Sequence, residues 1–181
     1  MRIIRTNIED VVLLEPRVFT DCRGYFFESF SSRNFEAEFP GIHFVQDNES
    51  CSKYGVLRGL HYQTAEFAQA KLVRVIHGHA LDVAVDMRKN SPTFKHYTAH
   101  HLSAENKWQM FIPKGFAHGF VALSEEVILQ YKCDAFYSPP HEGGIRYDDP
   151  ALNINWEIPA EDIILSGKDM ELPYLENAFL F

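Results

Sequence analysis

Nowhere in the chain does an apolar run approach the ~18 residues that a membrane-spanning helix needs. The opening stretch, "MRIIRTNIEDVVLLEPRVF", carries Glu9 and Asp10 where an export signal would place its apolar segment. No export signal is read there, and a cytoplasmic location is expected. Basic residues are in deficit: 17 Lys and Arg stand against 25 Asp and Glu, for a net charge of −8. Nucleic-acid binders and membrane-surface proteins usually carry the opposite imbalance, so neither partner is expected. A small anion remains compatible, because the nearest charges dominate at screened distances. Cysteines are few and odd in number (Cys22, Cys51 and Cys133), with no metal-like spacing. They read as free thiols of a reducing compartment. Repeats, low-complexity segments and linkers are all missing. The 181 residues therefore read as one domain, 1–181, with a sizeable core.

What is present points to strands. Hydrophobic residues make up 46% and charged residues 23%, as in an ordinary globular protein. Aromatics reach 14%, with 15 Phe and 8 Tyr, and favour strands. Short alternating runs follow one another with turn residues between them. In "ALDVAVDM", Leu81, Val83, Val85 and Met87 share one face, and Asp82 and Asp86 share the other. "KLVRVI" precedes it, with His77-Gly78-His79 as the turn. In "VILQYKCD", Val127, Leu129, Tyr131 and Cys133 point one way, and Gln130, Lys132 and Asp134 the other. One early helix is expected over "SSRNFEAEF", with a serine cap and a stop at Pro40. A second is expected around "PAEDII". Many short strands and few helices predict an all-β sandwich or closed barrel, with a ligand cavity lined by inward residues.

The stretch "GVLRGLHYQ" spends strand positions on Arg58 and His61. Strict alternation puts them on opposite faces, three apart; a bulge at Gly59 would re-aim one of them. Further on, "IPKGFAHGF" places Pro113, Gly115 and His118 in a P-x-G-x-x-H pattern, the second half of the cupin signature. The first half, G-x5-H-x-H, is met at Gly55 and His61, but Gln63 stands where its second histidine belongs. Glu66, the nearest acid, is out of register. A metal cupin needs about three or four converging N and O donors, so no metal is expected. His61 is then free to serve as a general base. The histidines of "HGH" and of His100-His101 read as turn and strand residues.

Longer segments carry a resemblance over most of the chain. They are "DCRGYFFESF", "QDNESCSKYGVLRGLHYQ", "KLVRV", "DVAVDMRKNSPTF", "LSAEN", "IPKGFAHGF", "YKCDAFYSPPHEGGIRYDDP" and "LSGKD", in that order. The chain resembles the dTDP-4-dehydrorhamnose 3,5-epimerase family, metal-free cupin-type epimerases of nucleotide sugars. That resemblance implies a double-sheet jelly roll with short peripheral helices, no cofactor and a homodimer. The substrate it implies is a dTDP-4-keto-6-deoxyhexose, dTDP-4-dehydro-6-deoxy-D-glucose, inverted at carbons 3 and 5.

The same resemblance assigns roles. His61 is the base and Asp169 its orienting partner. Lys71 holds the enolate, and Tyr131 is the acid on the opposite face. Arg23, Glu28, Gln46, Asp47, Asn48, Arg58, His118, Glu142 and Lys168 match thymidine and phosphate contacts, and Tyr137 matches an aromatic stacked on thymine. Phe111 and Tyr147 stand where the family commonly has tryptophan, and Phe136 where tyrosine is common. The rivals are an epimerase of one carbon only, a 3,4-ketoisomerase, a non-catalytic nucleotide-sugar-binding cupin and a metal-dependent oxygenase. The "LRGLHYQ" and "YKC" segments disfavour the ketoisomerase, and a pure binder has no need of a paired acid and base.

Overall fold

The computed structural model describes residues 1–181 as two antiparallel sheets packed face to face. In chain order the strands are β1 (Arg2–Arg5), β2 (Val12–Glu15), β3 (Phe19–Asp21), β4 (Gly24–Phe26), β5 (Gln46–Lys53), β6 (Leu57–Gln63), β7 (Lys71–His77), β8 (His79–Asp86), β9 (Tyr97–Ser103), β10 (Gln109–Ile112), β11 (Phe116–Ala122), β12 (Glu126–Cys133) and β13 (Glu142–Gly144). One sheet is ordered β1-β2-β10-β7-β12-β5, the other β13-β6-β11-β8-β9. β3 and β4 form a separate hairpin. This is the expected double-sheet, cupin-type fold. No helix of the chain is long and apolar enough to cross a membrane.

The two sheets bury their facing sides against each other. Val73, Val75, Val127 and Leu129 from the larger sheet meet Ala80, Ala84, Phe116 and Phe120 from the smaller. The outer face of each sheet is covered as well. On the larger sheet, α1 (Ser32–Glu38) seats Phe35 over Leu14, Leu72 and Phe111. Ser31 caps that helix by accepting from the Asn34 N–H, and Phe39 closes it just before Pro40. The smaller sheet is covered by the C-terminal residues, among them Ile145, Leu152, Trp156 and Leu175. Fully burying such side chains stabilises by roughly 1.5–3 kcal/mol each.

The turn expected at His77-Gly78-His79 is present and joins the two sheets: Gly78, at φ +78°, carries the chain from β7 in one to β8 in the other. In β8, the alternation is real but neither face is solvated. Leu81, Val83, Val85 and Met87 pack under the C-terminal layer, whereas Asp82 and Asp86 are both buried. Asp86 is satisfied there by Arg88, Ser91 and Thr93. Finally, "PAEDII" makes only a 3-10 turn, Ala160–Asp162. Ile164 takes the Gly55 carbonyl (2.8 Å) and Leu57 takes that of Ile164 (3.0 Å), so extended pairing claims the backbone a helix would need. A second short helix, α2 (Gly167–Met170), follows instead.

Candidate active site

A cavity of about 320 Å³ opens between the sheets. One wall is β6 with β11. His61 and His118 are direct cross-strand partners there, and the next pair along, two residues on in β11 and three back in β6, is Arg58 facing Phe120. Two residues of β11 thus span three of β6, so β6 carries a bulge at Gly59–Leu60. Leu57, Leu60 and Tyr62 turn outward into the C-terminal layer, and Arg58, His61 and Gln63 all line the cavity. Gly59, at φ +132°, packs on Gly119; a Cβ on Gly59 would lie 2.6 Å from the Gly119 Cα. The bulge resolves the opposing-face problem in favour of both residues facing the site.

The opposite wall is β7 with β12. Lys71 pairs with Cys133 and Tyr131 with Val73, and alternation turns all of them inward. The Lys71 ammonium lies 5.7 Å from the centre of the Tyr131 ring. The two histidines and the lysine–tyrosine pair therefore stand on different sheets, facing one another across the cavity.

Each histidine is tied to a carboxylate. His61 Nε2 lies 2.6 Å from Asp169 Oδ1. Asp169 belongs to α2, whose N-cap is Ser166. The Ser166 hydroxyl accepts from the Asp169 N–H (3.1 Å) and donates to Oδ2 (2.7 Å). Burial acts to raise the Asp169 carboxyl, but the bonds from His61 and Ser166 outweigh it and hold it below its ordinary value. A carboxylate only accepts, so His61 Nε2 carries the hydrogen and Nδ1 keeps the lone pair. His118 Nε2 is 2.9 Å from Asp82 Oδ1 on the neighbouring strand. Burial pulls the His118 imidazole below its usual value, partly opposed by Asp82.

Across the cavity, burial lowers the Lys71 ammonium, opposed by Cys133, Asp82 and Glu142. Burial raises the Tyr131 phenol and drives the Cys133 thiol up to about 11. At neutral pH Tyr131 keeps its proton. At the mouth, the Tyr137 hydroxyl donates to Glu142 (2.8 Å), and Glu142 also pairs with Lys168. Burial would raise Glu142, but the bonds from Lys168 and Tyr137 bring it below its ordinary value.

Of the fourteen residues singled out from sequence, nine line this one cavity: Arg58, His61, Lys71, His118, Tyr131, Tyr137, Glu142, Lys168 and Asp169. Gln46 and Asn48 flank it on β5: Gln46 accepts the Tyr137 N–H (3.0 Å) and donates to Asn48 (3.0 Å). The other three lie elsewhere. Arg23 sits at the tip of the β3–β4 hairpin paired with Asp21, Glu28 bonds Asn34 of α1, and Asp47 pairs with Lys132 at an exposed edge. None of them lines the cavity of its own chain.

The sequence reading missed Ser166, Asp82, Ser50 and Gln69. Ser166 had a signal, since "SGKD" is a serine with an acid three residues on, the pattern of a helix cap. Asp82 had none, because alternation places it opposite the apolar face without showing what that side meets. No group of three His, Cys, Asp or Glu side chains is arranged to hold a metal ion. His79 and His101 do meet, at 2.8 Å, but as neighbours on β8 and β9 away from the cavity. Phe111 packs with Phe35 and Phe39 beneath α1, and Tyr147 packs under the C-terminal layer, so neither aromatic exchange touches the cavity.

The family model described as dTDP-4-dehydrorhamnose 3,5-epimerase matches residues 5–177. A protein of that name from Salmonella typhimurium is 52% identical, over 99% of this chain and 98% of its own. A solved dTDP-6-deoxy-D-glucose-3,5-epimerase from Legionella pneumophila, in complex with dTDP-4-keto-L-rhamnose, superposes with a TM-score of 0.94 at 46% identity, covering 97% of this chain and 93% of that one. ChmJ, a 3'-monoepimerase from Streptomyces bikiniensis solved with dTDP-quinovose, has a TM-score of 0.88 at 32% identity, covering 95% and 87%.

Proposed function

The chain belongs to the dTDP-4-dehydrorhamnose 3,5-epimerase family and is an isomerase, and we propose that its two facing walls divide the proton transfer between them. The substrate is dTDP-4-dehydro-6-deoxy-D-glucose, inverted at carbons 3 and 5 on either side of the ketone. A proton alpha to a ketone is on the order of a dozen pK units less acidic than imidazolium, a gap of roughly 16 kcal/mol at 1.36 kcal/mol per unit. A histidine alone does not bridge that gap; the enolate must be stabilised as it forms.

His61 Nδ1 takes the proton. Asp169, held by Ser166, fixes the imidazole and stabilises its charged form. The Lys71 ammonium faces the keto oxygen and takes up the enolate charge in a poorly solvated site. Tyr131 then delivers its phenolic proton from the other face of the carbon. The single observation that carries this reading is the placement of His61 and of Lys71 with Tyr131 on opposite sheets.

The nucleotide lies toward the mouth. Tyr137, steadied by Glu142, stacks on thymine, and Lys168 and the exposed Arg58 supply positive charge for the diphosphate. His118 closes the inner wall beside His61 as a neutral ring. The protein works as a homodimer. The β3–β4 hairpin leaves Tyr25 61% and Phe26 70% exposed. Aromatic exposure on that scale suits a covering partner. Arg23 and Glu28, remote from their own cavity, then act at the partner's. Arg23 adds a fork for phosphate.

The test is proton NMR of the substrate incubated with the protein in D2O. Deuterium entering at both carbon 3 and carbon 5 is expected, with loss of exchange in His61→Ala. Exchange at one carbon alone would assign the chain to the single-carbon epimerases that its likeness to ChmJ brings into view. No exchange with binding intact would leave a nucleotide-sugar-binding cupin.

A further inference from the structure

β5 turns every second side chain toward the cavity: Gln46, Asn48, Ser50 and Ser52. Three of these four polar groups are engaged. Gln46 and Asn48 bond each other, and the Asn48 amide also reaches Cys133 Sγ at 3.7 Å. Ser52 accepts from Arg58 Nε at 3.0 Å. Ser50 is the exception. Its Oγ is the one buried side-chain polar atom in the chain that finds no hydrogen-bond partner in the protein. Ser50 opens onto the same cavity as His61, Lys71 and Tyr131. It lies across the ladder from Leu129, one inward position along β5 from Asn48, which faces Tyr131.

A hydroxyl taken out of water and left unpaired is a standing cost, and such groups in native proteins call for an explanation. Here the explanation lies in what the cavity receives. The neighbours favour a neutral partner: Leu129 is beside Ser50, Phe120 also lines the cavity, and the charge suited to phosphate is carried by Arg58, exposed at the rim. A hydroxyl both donates and accepts, which matches another hydroxyl.

We propose that Ser50 is a specificity-determining substrate contact, its Oγ hydrogen-bonding a ring hydroxyl of the hexose. This rests on the reading of the cavity as the hexose site. Replacing the side chain by alanine removes a group that is unpaired in the free protein and paired in the complex. Binding of the sugar should suffer, and the fold should not.

The experiment is titration calorimetry of wild type and Ser50→Ala with dTDP-glucose and with dTDP, alongside thermal melts. The variant is expected to bind dTDP-glucose about tenfold more weakly, or about 1.4 kcal/mol. Its affinity for dTDP, which has no hexose, should stay within about twofold of wild type on that scale. Its melting temperature should equal or exceed that of wild type. Equal weakening toward both ligands would give Ser50 to the diphosphate and overturn the proposal. Unchanged affinity for dTDP-glucose, or a lowered melting temperature, would overturn it too. Wild-type protein that binds neither ligand would overturn the reading of the cavity itself, a distinguishable failure.

Discussion

Two histidine–carboxylate pairs stand side by side at the cavity, and the proposed mechanism gives them different roles. His61–Asp169 and His118–Asp82 sit on paired positions of one sheet, each with Nε2 turned to its acid. The His61 side chain is 29% exposed, whereas that of His118 is 7% exposed and its Asp82 fully buried. Asp169 comes from a short capped helix outside the sheet; Asp82 is part of the sheet itself. A base that turns over must exchange its proton with solvent and accept positive charge. His61 can, with a carboxylate braced by Ser166 for that charge. His118 is pulled toward the neutral form by burial, and in the proposed mechanism it serves as wall and brace. The chemistry of a pair is set by its access, beyond its composition.

Substitution of the two acids separates these roles most sharply. Asp169→Asn keeps the shape but cannot hold the imidazolium, and a loss in kcat of about 10³- to 10⁴-fold is expected from the effect of such a change in other His–carboxylate enzymes. Steady-state kinetics and a melt check it: a large loss of rate should come with little loss of stability. Asp82→Ala should invert that pattern. It strands the buried His118, and a loss of stability of about 1–3 kcal/mol is expected by denaturant unfolding, larger than that of Asp169→Asn. If both variants lose rate and stability in equal measure, the distinction fails.

A smaller effect concerns the facing wall. In the proposed mechanism Lys71 must be charged to hold the enolate, and burial lowers its pKa from the ordinary 10.5. Raising the pH through that lowered value removes its proton, so kcat/KM should fall on the alkaline side before 10.5. Tyr131 is shifted the opposite way, up from 10.0 by burial. Lys71→Arg should move the alkaline limb upward, since a guanidinium keeps its charge. A limb that stays put would assign it to another group.

Much of this was legible in the sequence, for physical reasons. Strand alternation in "VILQYKCD" located Tyr131 inward because β12 is regular and half-buried on one face. The capped helix at Ser31 was legible because caps are local. The same alternation correctly put Asp82 and Asp86 opposite the apolar residues, but it could not show them buried, because the smaller sheet is covered on both sides by tertiary packing. It also could not decide between Arg58 and His61, since the bulge depends on Gly59 meeting Gly119 from a distant strand. The pairing of His61 with Asp169, 108 residues apart, is a fact of the fold alone. "LSGKD" suggested it through resemblance, and only the cap at Ser166 could have been read locally.

The most direct test of a divided proton transfer is Tyr131→Phe, followed by NMR in D2O for both exchange and configuration. His61 remains, so deuterium should enter next to the ketone. With no acid on the opposite wall, it should return to the original face and leave the configuration unchanged. Exchange without inversion is the predicted result. Inversion at an undiminished rate would contradict it, because another group would then be supplying the second proton.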